Sequence, residues 1–509
     1  MVPGTGCYDG TMKRIGMAVL LALTGCTSAG DTATEATFSF AAPNDRPPLR
    51  GPGGPAQTFS SDALWENCAA LPGGEQDALH HNLVVPYRGH LVLPWAPEWS
   101  RGGLSFFEMD DPCNPVKVGE GFHERMRESH SLGFVHLPDG DPHAGDYVAV
   151  TGIRGVQIWD ISSVEQPEAI SYLEIETVFY PDAYARVVLS VFWQYPYLYA
   201  AAADNGIFVI DATDPAAPEL VTTYPIEPAL RAGGVFVTGN LMLVTSAEGT
   251  DAVLLDVSDP IAPQPIGGGR FSSTDASGDA WEAYHGNTTG DLAFFARKEG
   301  SGGLMVADIS DPTAPVYAGD YAGSGNGGYV FYDEGFAFVG LSSHAAVYDV
   351  RDLSAITEVG RGELPGDLDT ITPYGNVAIL SVDDDAEDGI ASAVMPWTEA
   401  PDTAAPQVRR VEPADGAVGV ATTSRVGVAF NEFIEPSSVF PGSIRLFDAD
   451  GGAVDGWGSG QENIASYAPK APLRPGTTYT VEVLSDGITD LNGNPTDTTT
   501  TTTFTTAGP

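Results

Sequence analysis

Basic residues are scarce in this chain. Lys and Arg number 23 against 68 Asp and Glu, a formal charge of −45 over 509 residues. That balance excludes tracking a phosphate backbone or an anionic bilayer by charge, so nucleic acid is not an expected partner. Cysteine is sparse as well, at four. Beyond the first residues no stretch approaches the roughly 18 apolar residues of a membrane-spanning helix. The usual local catalytic signatures HExxH, GxSxG and CxxC are missing. Disorder is excluded for the bulk of the chain, because 43% hydrophobic and 10% aromatic residues can bury a large core. At about 150 residues per domain the length suggests two to four domains. The 60 Gly and 39 Pro are scattered without a period, which excludes collagen and favours many short strands joined by turns.

What is present begins with an address. Lys13 and Arg14 precede an apolar run over 15–23, and Leu23, Thr24, Gly25 and Cys26 follow in order. This resembles a bacterial lipoprotein signal, with Met12 as the expected start. The resemblance implies a signal peptide over 1–25, cleavage before Cys26 and lipidation of its thiol. Acyl chains at about 0.8 kcal/mol per buried CH₂ would anchor the protein in the membrane without a spanning helix. No acidic residue follows Cys26 directly, which by the sorting habits of such proteins implies the outer membrane or cell surface. Residues 26–60, rich in Ala, Thr, Pro and Gly, read as a flexible tether. Cys7 leaves with the signal and Cys26 is lipidated, so Cys68 and Cys113 remain. In an oxidising compartment they are a disulfide candidate, two free buried thiols being the alternative.

One pattern recurs along most of the chain: a Gly, a short run of strand formers, an Asp, then a turn with Pro. Copies include GVQIWDISSVEQP from Gly155, GIFVIDATDPAAP from Gly206 and GLMVADISDPTAP from Gly303. The anchors Asp110, Asp160, Asp211, Asp256, Asp308 and Asp349 are spaced by 50, 51, 45, 52 and 41 residues. A worn copy, GIASAVMPW from Gly389, follows where the period places it. Each unit has room for four short strands, apolar at consecutive positions because a propeller blade packs on both faces. Asp followed by Pro starts a turn that ends the third strand, so the repeated Asp reads as a turn residue rather than a catalytic one. These GxxVxDxSDPxxP units resemble LVIVD repeats, the propeller repeats of bacterial exported proteins. The resemblance implies an all-β fold with a seven-bladed β-propeller over 61–400. Six or eight blades stay open, since the first and last units are worn. The family is defined by its repeat rather than by an activity, so no catalytic residue carries over.

After Trp397 the stretch TEAPDTAAP changes composition, giving a linker over 401–406 and a second domain over 407–509. There polar and apolar residues alternate between turn signals about every 8–12 residues, as in a half-exposed β-sandwich. The Pro413–Gly416 turn, FNEFIEP, LRPGTTYTVEV and the turn of Asp490, Asn492, Gly493 and Asn494 resemble a bacterial Ig-like domain. In relatives this module is a spacer or adhesive unit. Three acidic stretches have oxygens suited to Ca²⁺: Asp490 to Asn494; Asp448, Asp450 and Gly451; and the run Asp383, Asp384, Asp385, Glu387, Asp388. None has EF-hand spacing, and Asn-Gly and Asp-Gly are also the favoured residues of tight hairpin turns.

Convergent chemistry is thin. His123 and Glu124 begin like a zincin helix, but His130 lies seven residues after His123 rather than the spacing that shares a helical face. Gly323, Gly325 and Gly328 fit GxGxxG but lead into a strand, so they read as a loop between blades. His81, His130 and His285 each sit near the start of a blade's first strand, the strand that lines a propeller channel. They are candidate ligands for a transition metal, with Asp367 or Asp369 beside them. The competing reading has each His capping a strand. No cofactor is required; a transition metal or Ca²⁺ is what these groups would take. The sequence therefore points to a lipid-anchored envelope protein whose propeller is a binding or adhesion scaffold for a protein or glycan, without catalysis. The alternative is a metal-dependent enzyme at the channel mouth.

Overall fold

The computed structural model describes residues 38–42, 54–72, 81, 83–98, 101–179, 185–298 and 302–509. Regular structure among them is β-strand apart from two single 3₁₀ turns at Ser61–Ala63 and Pro436–Ser438. None of their helices is long and apolar enough to cross a membrane. The signal segment and Cys26 lie outside the described residues.

Up to Pro396 the described strands form seven four-stranded antiparallel meanders. The third is representative: Ser190–Gln194, Tyr197–Ala201, Ile207–Asp211 and Glu219–Tyr224. Its three inner strands are buried almost throughout, while the fourth is mostly exposed. The consecutive apolar residues of Ile207–Asp211 follow from this, because a strand between two neighbouring sheets has no face left for water. The innermost strands of successive units touch one another around an axis, as Ser190–Gln194 does with Ala232–Thr238, and that strand with Ala283–Thr288. The molecule is a β-propeller.

The repeated Asp residues are turn residues. The side-chain oxygens of Asp160, Asp211, Asp256 and Asp308 each accept the backbone N–H two positions on, at 2.8, 3.0, 2.8 and 2.8 Å. The second Asp of the pair repeats the device, as in Asp214 to Ala216 at 3.0 Å and Asp311 to Thr313 at 2.9 Å. An Asp bonded to its own backbone in this way closes the turn into the outer strand.

The last unit is built from both ends of the propeller. Thr370–Tyr374, Val377–Ser381 and Ile390–Pro396 supply three strands, and Ala69–Pro72 pairs antiparallel with the third as the outermost. The adjoining Cys68 is bridged to Cys113, with Cα atoms 5.1 Å apart. Cys113 lies in the turn before Val116–His123 of the first unit, so the bridge joins the last unit to the first across the ring seam. Leu83, Leu91 and Leu93 of the first unit pack with Ile371, Ile379 and Leu380 of the last in one buried cluster.

From Val408 the strands form a sandwich. One sheet orders Val408–Glu412, Val426–Phe430, Ile464–Pro469 and Gly456–Gln461; the other orders Ala417–Val420, Thr500–Thr506, Thr478–Val483 and Ile444–Phe447. Val428, Phe430, Leu446, Tyr467, Val481 and Phe504 fill the space between them. The first sheet continues into the propeller through one pairing, Gly460 with Phe134 of the second unit.

Candidate functional site

Each innermost strand runs along the propeller axis, so its first residues lie at one mouth and its turn into the second strand at the other. The sandwich is docked on the mouth that carries these turns. The backbone N–H of Arg88 in the first unit donates to Glu435 at 2.8 Å. In the third unit, Trp193 N–H and Tyr195 N–H donate to Gln461 Oε1 and Ser459 Oγ, both at 3.2 Å. Asn240 of the fourth accepts from Arg425 N–H at 3.2 Å and donates to Ser424 Oγ at 3.0 Å. In the fifth, Asn287 donates to Glu462 at 2.6 Å and Thr288 O accepts from Asn463 at 2.8 Å. Glu334 N–H of the sixth donates to Asn431 O at 2.8 Å, and Asp333 accepts from Phe433 N–H at 3.0 Å. Gly375 of the last lies so close to Asn492 that a Cβ there would meet its amide at 2.5 Å. The hairpin tip of Gln461, Glu462 and Asn463 thus reaches the third and fifth units at once and plugs the channel end. Close approach is built in with glycine: a Cβ on Gly427 would stand 1.8 Å from the backbone N of Gly239, itself at φ +60°. The Ig-like domain is seated on this mouth of the propeller.

At the other mouth the first residues of the inner strands bring acids, tyrosines and imidazoles together. His130 Nε2 lies 3.0 Å from Glu128 Oε1, both side chains 2% exposed. Arg127, equally buried, donates to the carbonyls of Glu98 and Val188, both at 3.1 Å, which fixes this segment. The His130 ring stands 5.5 Å from that of Tyr284 and 5.6 Å from that of Tyr329. His285 stacks on Tyr329 at 4.7 Å. The Lys298 ammonium lies 4.4 Å above the Tyr284 ring and 3.2 Å from Glu248. Burial and then the neighbouring Asp367 push the Asp369 carboxyl well above the usual range, with Lys298 pulling the other way. Asp383 is pushed up to about 10 by burial and by Asp369, Glu128 and Asp367. Burial, then Glu128 for Tyr284 and Tyr284 for Tyr329, raises both phenols. Burial and then His130 push His285 down to about 3, so its imidazole is neutral at pH 7. Burial beside other acids thus raises the Asp369 and Asp383 carboxyls together, and a cation entering would lower both.

His130 and His285 therefore share one cluster through Tyr329. His81 is buried too, but its Nδ1 bonds Ser392 Oγ at 2.7 Å and its backbone N–H bonds Val382 O in the last unit. No three His, Cys, Asp or Glu ligand atoms at this mouth come within 4.8 Å of one another among the described residues. The three histidines do not form a ready coordination shell. Tyr284 and Tyr329 went unread in the sequence, although Tyr284 adjoins His285 and Tyr329 ends the Gly323–Gly328 loop.

Elsewhere His123 ends the strand Val116–His123, where Nδ1 meets Gln157 Nε2 at 2.7 Å, and no helix forms. The glycine-rich loop leads into the strand Val330–Asp333. Asp448 is spent on its own turn, accepting from the N–H groups of Asp450 and Gly452 at 2.9 and 2.8 Å, and pairs with Arg474 at 2.6 Å. Of the 383–388 acids, Asp383 acts on Tyr284 and Tyr329 at the mouth, and Asp384 acts on Asp383. Asp490 is different: with Asp402 and Glu432 it forms a trio of ligand atoms within 4.8 Å of one another. Burial, with neighbouring carboxylates adding to it, raises Asp333 and Asp490 to about 8 and Glu432 to about 11.

Two family models match. The LVIVD repeat covers residues 196–225 and 289–323, inside the third unit and across the fifth, and the bacterial Ig-like domain covers 402–506. The chain carries LVIVD repeats and a bacterial Ig-like domain. No curated protein matches the sequence. Among solved structures, the periplasmic gluconolactonase PpgL of Pseudomonas aeruginosa is 10% identical with a TM-score of 0.45, covering 56% of this chain and 85% of that one. The WD40 propeller domain of Doa1 is 12% identical with a TM-score of 0.45, covering 67% and 97%. A Lactobacillus plantarum protein is 12% identical with a TM-score of 0.42, covering 59% and 92%. The propeller assignment rests on the strand order and the LVIVD units, not on these distant likenesses. A propeller joined to an Ig-like domain fits a binding scaffold.

Proposed function

We propose that this is a lipid-anchored protein of the bacterial envelope, held through Cys26 at the outer membrane or cell surface, that binds a partner without catalysing a reaction on it. The partner's contact group is a cation, and it enters the propeller mouth opposite the Ig-like domain. One observation carries this reading: Glu128, Asp367, Asp369 and Asp383 gather there around the rings of Tyr284 and Tyr329, with Arg127 and Lys298 as their nearby positive charges. Carboxylates beside aromatic faces favour an ammonium or guanidinium group, by charge and by attraction to the ring quadrupole. A protein presenting Lys or Arg, or a glycan bearing an amino sugar, meets that requirement. Calorimetric titration with methylammonium, spermidine and a Lys-rich peptide tests it. Saturable binding is expected, weakened at least tenfold by Asp369→Asn with Asp383→Asn; equal binding by the double variant would refute it. Cys26→Ser is expected to release the protein from membranes, and retention would refute the anchor.

A second reading, a metal-dependent enzyme, draws on His130 and His285 flanking Tyr329. Elemental analysis of protein purified without an affinity metal decides it. About one transition metal per chain, lost in His130→Ala with His285→Ala, would favour that reading.

A further inference from the structure

The joint between the propeller and the Ig-like domain gathers acids from four separate stretches of chain. Asp402 lies in the connecting segment, Glu432 and Asp490 belong to the Ig-like domain, and Asp333 with Glu334 forms the turn of the sixth propeller unit. The charged groups that act most strongly on the Glu432 carboxylate are Asp333, Asp490, Glu334 and Asp402, each acidic. Such an assembly of like charge is costly to bury unless a cation sits within it.

A second, independent observation points the same way. Glu432 is 2% exposed and its Oε1 has no hydrogen-bond partner, although it lies in the trio with Asp402 and Asp490. A buried carboxylate oxygen without a hydrogen-bond partner is rare and calls for an explanation such as an ion. Asp490 is held in place: its Oδ1 accepts the N–H groups of Asn492 and Asn494 at 2.9 and 2.7 Å and its Oδ2 accepts Asn494 Nδ2 at 2.7 Å, which aims the carboxylate and leaves it lone-pair capacity on Oδ2. The Asp402 carboxylate is fixed likewise by the N–H of Ala404 at 2.8 Å.

We propose that Asp402, Glu432 and Asp490 bind one calcium ion that fastens the Ig-like domain to the propeller, with Asp333 and Glu334 as a surrounding acidic ring. The donor set is oxygen only, which suits a hard cation and not zinc or copper. The trio's ligand atoms lie within 4.8 Å of one another, close enough to share one ion; calcium takes several carboxylate oxygens at about 2.4 Å in flexible geometry, whereas magnesium binds at about 2.1 Å and keeps most of its waters. This site is separate from the propeller mouth and stands or falls apart from it.

Calcium titration of the full chain after chelator dialysis, read by calorimetry and by thermal unfolding, tests the proposal. The wild type and the control Asp448→Asn are expected to bind one calcium per chain and to unfold at higher temperature with it. Glu432→Gln is expected to bind at least tenfold more weakly, yet to fold at least as well as the calcium-free wild type, because the amide removes repulsion. Asp402→Asn, at a half-buried position, gives the same test should Glu432→Gln fail to fold. A wild type indifferent to calcium, or wild-type affinity in both variants, would overturn the site; an equal response to magnesium would overturn the choice of ion.

Discussion

Replacing Gln461 by Ala is expected to destabilise the protein by roughly 2–4 kcal/mol, because this side chain closes two buried bonds to the propeller. Its Oε1 accepts Trp193 N–H at 3.2 Å and its Nε2 donates to Val191 O at 3.0 Å. Truncation leaves the Trp193 amide without that acceptor in a water-poor channel, at about 1–3 kcal/mol, and removes a neutral bond of about 1 kcal/mol. Val191 O keeps a second donor, Ser131 Oγ at 2.8 Å, which makes the two sites interdependent. In a double-mutant cycle with Ser131→Ala, the double variant should lose about 1 kcal/mol more than the sum of the singles, since only then is Val191 O bare. Urea unfolding with an unchanged m-value is the assay. Were the Ig-like domain free of the propeller, Gln461 would sit on an exposed hairpin tip, where substitutions stay within about 0.5 kcal/mol. A loss that small, with additive singles, would refute the docking.

Other consequences follow from the same contacts. Cys68→Ser with Cys113→Ser opens a loop of sequence separation 45 and should cost about 4 kcal/mol on the chain-entropy model, measured by unfolding against the oxidised wild type. His285, pushed down to about 3 by burial, takes up its proton only on unfolding between that value and about 6.5. Its contribution to stability is complete above about pH 6.5 and shrinks as pH falls, by about 1.4 kcal/mol per unit between pH 6 and 4. His285→Gln should flatten the acid limb by that slope, and an unchanged limb would show the ring to be solvated. Gly427→Ala drives a Cβ to 1.8 Å from Gly239 N and should cost about 3 kcal/mol or more, whereas Gly451→Ala, open around its Cβ, should cost only the strain of its positive φ, about 1 kcal/mol.

The elements legible in the sequence were those set by local chemistry. Ile207–Asp211 is apolar without alternation and ends in an Asp that bonds its own backbone, so strand, burial and turn were all written within about ten residues. Ala69–Pro72 was not legible as the outer strand of the last unit, because its partner lies more than 300 residues away. The want of a fourth strand pattern after Pro396, where TEAPDTAAP begins, was the one available signal. Docking of the Ig-like domain was hidden for the same reason: Gln461, Asn463 and Gly427 look like ordinary turn and strand residues until the propeller turns stand opposite them. At the mouth, strand position located His130 and His285, but not that His81 would face Ser392 of the last unit. The acidic joint was half visible. The Asp490 turn is local, whereas Glu432 and Asp402 reach it only through the fold.

The most direct test of the assignment of the two mouths is amine titration of the full chain carrying Asp383→Asn, at the mouth opposite the Ig-like domain, beside Glu462→Gln, at the plugged end. Spermidine binding at least tenfold weaker in Asp383→Asn and unchanged in Glu462→Gln is the expected result. Loss in Glu462→Gln with wild-type binding in Asp383→Asn would place the ligand at the wrong end of the channel and contradict the proposed function.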